Sequence, residues 1–112
     1  MKSELRKNTI KLFIDTSDSE NIKIKLNLGD IEFKKFGSQG KKAQITLELI
    51  DDILNEAGIT LMDIDELYVK VGPGSYTGLK VGTAIANTLS FVLQIPVNNL
   101  SVGKLAIPVY ED

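Results

Sequence analysis

Residues Val69–Gly82 read V-K-V-G-P-G-S-Y-T-G-L-K-V-G, and this stretch changes the chain's character twice. Leu67–Val71 is apolar and β-branched, too short for a helix and suited to a buried strand. Gly72-Pro73-Gly74 must break that strand, because Pro73 removes a backbone donor and the glycines reach conformations closed to other residues. Ser75 or Thr77 can then cap a helix by accepting a free N–H of its first turn. The unit is strand, tight turn, helix. Inside the helix, Gly78, Gly82, Ala86 and Ser90 recur every fourth position and share one face. Two interior glycines cost roughly 1 kcal/mol each relative to alanine, so a backbone passing close to that face is the simplest reason for their smallness.

Working outward, Thr9–Ile14 is a strand with Ile10, Leu12 and Ile14 on one side and Phe13 on the other. Asp15–Ser19 is a polar turn. Asn21–Leu28 alternates strictly and makes a half-buried antiparallel strand. Gly29-Asp30 turns the chain into a third strand, Ile31–Phe36, with Ile31 and Phe33 inward. After Gly37–Gly40 the period becomes helical over Lys41–Ala57, where Ala43, Leu47, Ile50, Leu54 and Ala57 form a stripe, widened by Ile53, and Lys42, Glu48, Asp52 and Glu56 face water. Gly58 follows as the C′ residue, and Thr60 caps a short turn. The second helix runs from Gly78 to Leu93 with a narrow polar strip of Lys80, Thr83, Asn87 and Gln94. Ile95–Val97 reads as a last strand, and Asn99 or Ser101 caps a turn through Leu105 and Ala106. The fold class is therefore α/β: three antiparallel strands, then helix, strand, helix, strand, with the late strands parallel to the first.

At 112 residues with 43% hydrophobic and 25% charged residues, the chain fits one ordinary globular domain. Its charged start, Met1–Asn8, reads as a flexible leader, and residues 9–112 as a single lobe. Apolar runs fall short of the roughly 18–20 residues that span a bilayer, which points to a cytoplasmic protein. With no cysteine and no histidine, thiolate and imidazole chemistry and zinc sites built on those ligands are excluded. A formal charge of −2 gives the chain as a whole no general affinity for nucleic acid.

Ile14-Asp15-Thr16-Ser17, Leu49–Leu54, Asp63-Ile64 and above all Gly72–Gly82 followed by Ala84-Ile85-Ala86 and Leu89 carry a resemblance. Together they resemble one lobe of the actin-like (ASKHA, ribonuclease H-like) fold, and within it the N-terminal lobe of the TsaB (YeaZ) family. That family supplies the non-catalytic partner of the TsaD (Gcp/Kae1) ATPase in making threonylcarbamoyladenosine on tRNA. The resemblance implies a scaffold with no catalytic or metal residues of its own, ATP and metal lying on the partner. It implies a homodimer that exchanges one copy for a TsaD-like ATPase and meets a TsaE-like ATPase through the assembly, with tRNA contacted only indirectly and no membrane. Members carry a second lobe, which is expected to be absent here.

Two sites follow. One is an interface of the helix pair, built from Leu47, Ile50, Leu54, Gly78, Gly82, Ala86 and Ser90, because one small sheet leaves part of two apolar helices uncovered. The other is a vestigial anion or nucleotide site at Asp15, Thr16, Ser17, Gly72, Gly74 and Ser75, since helix starts attract anions. Against it, the loop fits neither G-x-x-x-x-G-K-[ST] nor G-x-G-x-x-G, and a purely structural turn is the preferred reading. A nucleotide-binding half-domain that completes an ATP cleft with another lobe is the alternative function. Asp51-Asp52 and Asp63–Glu66 read as solvated charge. Lysines 34, 35, 41 and 42 form a small basic patch, better explained as edge protection.

Overall fold

Alternation builds the sheet. The computed structural model describes residues 9–38 and 42–110, so the expected leader Met1–Asn8 lies outside the described residues. Strands β1 (Ile10–Asp15), β2 (Asn21–Leu28) and β3 (Ile31–Ser38) form an antiparallel meander, and β4 (Glu66–Val69) joins β1 in parallel, giving the order β3-β2-β1-β4. The register sets Leu12 opposite Leu26 and Ile14 opposite Ile24. These side chains, with Ile10, Ile22 and Leu67, are fully buried on one face. Ile31 departs from expectation at 58% exposed, because it lies beside the Gly29-Asp30 turn where the sheet ends. Gly37 and Ser38 continue β3 instead of breaking it.

Both helices lie on that apolar face. Helix α1 (Lys42–Ala57) covers β2 and β3, and α2 (Tyr76–Leu93) covers β1 and β4 and touches α1. The buried stripe of α1 is Thr46, Ile50, Ile53 and Leu54, turned relative to the predicted one. Ala43 and Leu47 point outward, while Lys42 turns in and donates to the Asp18 carbonyl at 2.6 Å. Gly58 closes α1 with φ 74°, the left-handed conformation that glycine adopts without strain. A 3-10 turn, Leu61–Asp63, follows, with the Thr60 N–H donating to Asp63 Oδ2 at 2.9 Å.

Helix α2 begins two residues earlier than predicted, at Tyr76, with Ser75 as N-cap. Thr83, expected on a polar strip, is buried; its hydroxyl is satisfied by the Leu79 carbonyl at 2.8 Å. Asn87 also turns inward and clamps the C-terminal strap, both accepting from the Ala106 N–H and donating to the Ala106 carbonyl at 2.8 Å. That strap forms no helical turn through Leu105 and Ala106, where one was expected.

The expected last strand shrinks to one parallel bridge, Leu67 to Val97. Asn98 and Asn99 then take positive φ values of 52° and 62° and turn the chain away. In place of further strand, the Asn98 amide pairs with both backbone groups of Val69, at 2.8 and 3.0 Å. The Val109 N–H reaches the Val71 carbonyl at 2.7 Å.

Candidate functional site

Two parts of the molecule had functional readings, and the first is the junction of the β1 turn with the β4 loop. The fold does bring Asp15, Thr16 and Ser17 beside Gly72, Gly74 and Ser75. Asp15 Oδ1 accepts from the Ser17 N–H at 3.0 Å and from its hydroxyl at 2.6 Å, an Asx turn. The Ser75 N–H donates to the Ser17 carbonyl at 2.7 Å, and the Gly78 N–H to Ser75 Oγ at 3.2 Å. A Cβ on Gly74 would lie 2.6 Å from the Ser17 carbonyl oxygen, so glycine here permits a backbone contact. Two donors that an anion at the helix start would draw on are thus used within the chain, and the Lys42 ammonium beside Gly78 is itself held by the Asp18 carbonyl. The junction acts as a weld between strand and helix.

Thr16 is the centre of that weld. It is buried, and its hydroxyl donates to the Gly78 carbonyl at 2.6 Å. A Cβ on Gly78 would overlap the Thr16 carbonyl oxygen, and one on Gly82 the Thr16 hydroxyl. The close backbone that the small residues accommodate is therefore the chain's own. Ala86 is fully buried, and the buried Ser90 donates to the Ile95 carbonyl at 2.6 Å. This corrects the predicted interface: Gly78, Gly82, Ala86 and Ser90 face inward, because a small-residue stripe records how near a neighbour comes and not which neighbour it is.

The outer side of the helix pair is the second part. A groove of about 600 Å³ runs between α1, α2 and the 3-10 turn, lined chiefly by Leu47, Ile50, Leu54, Met62, Leu89 and Val92. Leu47 is 52%, Met62 70% and Val92 67% exposed, whereas Ile50 and Leu54 are buried at its floor. Of the predicted set only Leu47 projects; Val92 lies on a nearly all-apolar helix, where apolarity carries no directional signal, and Met62 lies in the short 3-10 turn, which has no face period to read.

The remaining charged groups have local roles. Lys35 pairs with Glu56 of α1 at 3.3 Å and Lys34 with Glu32 at 3.6 Å, on opposite faces of β3; Lys41 lies outside the described residues. The predicted basic patch therefore does not converge. Asp65 Oδ2 accepts from the Ile10 N–H at 2.9 Å, while Asp51 and Asp52 are exposed. Among the described residues no three acids gather as a metal site, and no helix is long and apolar enough to cross a membrane.

A family model described as TsaD, tRNA N6-adenosine threonylcarbamoyltransferase, matches residues 38–106. The tRNA threonylcarbamoyladenosine biosynthesis protein TsaB of Bacillus subtilis is 36% identical over 52 residues, 46% of this chain and 23% of that protein. TsaB of Haemophilus influenzae is 44% identical over 55 residues, 49% of this chain and 23% of that protein. Among solved structures, YeaZ from Pseudomonas aeruginosa superposes with a TM-score of 0.77 at 30% identity, covering 84% of this chain and 43% of that one. A second structure, described as similar to the peptidase YeaZ from Pseudomonas aeruginosa, gives 0.77 at 29% identity over 84% and 44%. The matched stretch is thus under a quarter of the curated relatives' length and under half of the solved chains.

Proposed function

Since this chain belongs to the TsaB/YeaZ family, we propose that it is a non-catalytic subunit of the machinery that makes threonylcarbamoyladenosine on tRNA. Its task is association: it pairs with a second copy through α1 and α2, and with a TsaD-like ATPase through the same face. A TsaE-like ATPase joins through that assembly, ATP and metal sit on the partners, and tRNA is met through them. The observation that carries the reading is the groove between the helices, where Leu47, Met62 and Val92 stand exposed around a buried apolar floor. A contiguous apolar surface of this kind marks contacts with other polypeptides, and a stable one buries at least about 1,000 Å² in total.

The nucleotide-binding half-domain has less support, because two donors at the helix start, the Ser75 and Gly78 N–H groups, are taken by Ser17 and Ser75. Light scattering after size exclusion tests the association. The unmodified chain runs as a dimer at micromolar concentration and the Leu47→Asp, Val92→Asp variant as a monomer with an unchanged circular dichroism spectrum. A monomeric parent that also fails to retain a TsaD-like protein on a column overturns the proposal.

A further inference from the structure

The sheet face turned away from both helices gathers residues that, Asp15 apart, neither the groove nor the loop junction uses. Phe13 and Tyr68, register partners on β1 and β4, stack with centroids 4.9 Å apart and planes 15° from parallel. Lys25 Nζ sits 4.3 Å from the Phe13 centroid. Beside the pair lies a cavity of about 520 Å³ whose charged lining is Lys23, Lys25, Lys34 and Lys70 against Asp15 and Glu32. Glu32 lies 4.0 Å from Lys25 and 3.6 Å from Lys34 and can neutralise one of them. In a chain with 15 acids and 13 basic residues, this excess of lysine is a local departure from composition.

We propose that this face holds a short single-stranded RNA segment, its phosphates on the lysines and a base against the Phe13–Tyr68 pair. Three observations together select that occupant. Lys23 and Lys25 stand on β2, Lys34 on β3 and Lys70 just past the end of β4, so the group spreads about 14 Å across the sheet from β3 to β4, which suits a chain of phosphates better than one anion. The aromatic pair offers a stacking surface of the kind that open sheets use for unstacked bases; Lys25, now over Phe13, moves to a phosphate when a base arrives. The carboxylates of Asp15 and Glu32 repel phosphates and acidic peptides alike, so they do not choose between them, but they accept hydrogen bonds from ribose 2′-hydroxyls, which DNA lacks; the stacking pair is what an acidic peptide does not need. The inference stands on this face alone and not on the helix groove, and it adds a direct RNA contact to the indirect one proposed above.

The test is fluorescence anisotropy of a labelled mixed adenosine and uridine RNA decamer in 50 mM salt. Binding is saturable, and affinity falls with salt. Exchanging Lys25→Gln and Lys70→Gln together weakens it at least tenfold and flattens the log affinity against log salt slope by about 1.4, at roughly 0.7 per lost phosphate contact. Tyr68→Leu weakens it at least about fivefold through lost stacking. Should Tyr68→Leu misfold, the lysine pair, on the open side of the sheet, carries the test. No saturable binding, a lysine pair that binds like the parent, or equal competition by polyphosphate, polyglutamate or the matching DNA decamer overturns the proposal.

Discussion

Alanine at Gly82 sets a gain in helix propensity against a collision, and the weld at Thr16 decides the sign. The gain is about 1 kcal/mol for a helix interior. The new Cβ overlaps the Thr16 hydroxyl, which must leave the Gly78 carbonyl it now holds at 2.6 Å. A buried acceptor left without its donor costs about 1–3 kcal/mol, and the crowding itself about 1–3 kcal/mol more. Gly82→Ala is therefore expected to lose about 1–5 kcal/mol against a typical total of about 5–15 kcal/mol. Once Thr16→Ala removes the hydroxyl, the nearest neighbours of that Cβ are Val69 Cγ2 at 3.4 Å and Thr16 Cβ at 3.5 Å, ordinary contacts. In that background Gly82→Ala becomes neutral or stabilising, a coupling of about 1–6 kcal/mol, the parent's loss plus any propensity gain released. Gly78→Ala keeps its penalty in both backgrounds, since its collision is with the Thr16 carbonyl, which no side-chain change removes. Urea titrations followed by circular dichroism measure all of these. Equal cost of Gly82→Ala with and without the Thr16 hydroxyl would refute the reasoning.

Asn87→Ala releases both ends of the Ala106 peptide; it is expected to cost about 1–3 kcal/mol and to speed proteolysis within residues 104–110, read by mass spectrometry. The Glu20 backbone N–H, helped by Asn21 and the charge of Lys42, holds the Asp18 carboxyl below its ordinary 3.8. A lowered folded pKa gives stability that is present above pH 3.8 and lost as pH falls through the folded value, so the thermal midpoints of the parent and Asp18→Ala differ at neutral pH and converge in acid. The hydrogen bond to Glu66, with burial, raises the Tyr68 hydroxyl above its ordinary 10.0. Its contribution is complete below pH 10 and fades above it, and the phenolate absorbance missing in Tyr68→Phe is expected to lie above pH 10.

Local signals were legible in the sequence: the alternation of β2, the Ser75 cap and the Gly58 stop each depend on a few neighbouring residues. Parallel pairing of β4 with β1 followed from connection rules. What could not be read was direction. The stripe from Gly78 to Ser90 announced a close neighbour without naming Thr16, 62 residues away from Gly78. Thr83 and Asn87 looked like a wet strip because polarity does not reveal that a hydroxyl bonds its own helix or that an amide holds a strap. The lysines at 23, 25, 34 and 70 lie on β2, on β3 and just past β4, so only the order β3-β2-β1-β4 places them around Phe13 and Tyr68.

The amide of Asn98 has one more consequence. By imitating a peptide group against Val69, with Pro96, Asn98 and Val109 occupying the outward backbone of Leu67 and Val71 on either side, it seals this border of the sheet. A ladder that adds molecules head to tail needs two open borders. Among the described residues only β3 presents an open border, so strand-mediated addition through them can at most join two molecules border to border and cannot propagate into a fibre.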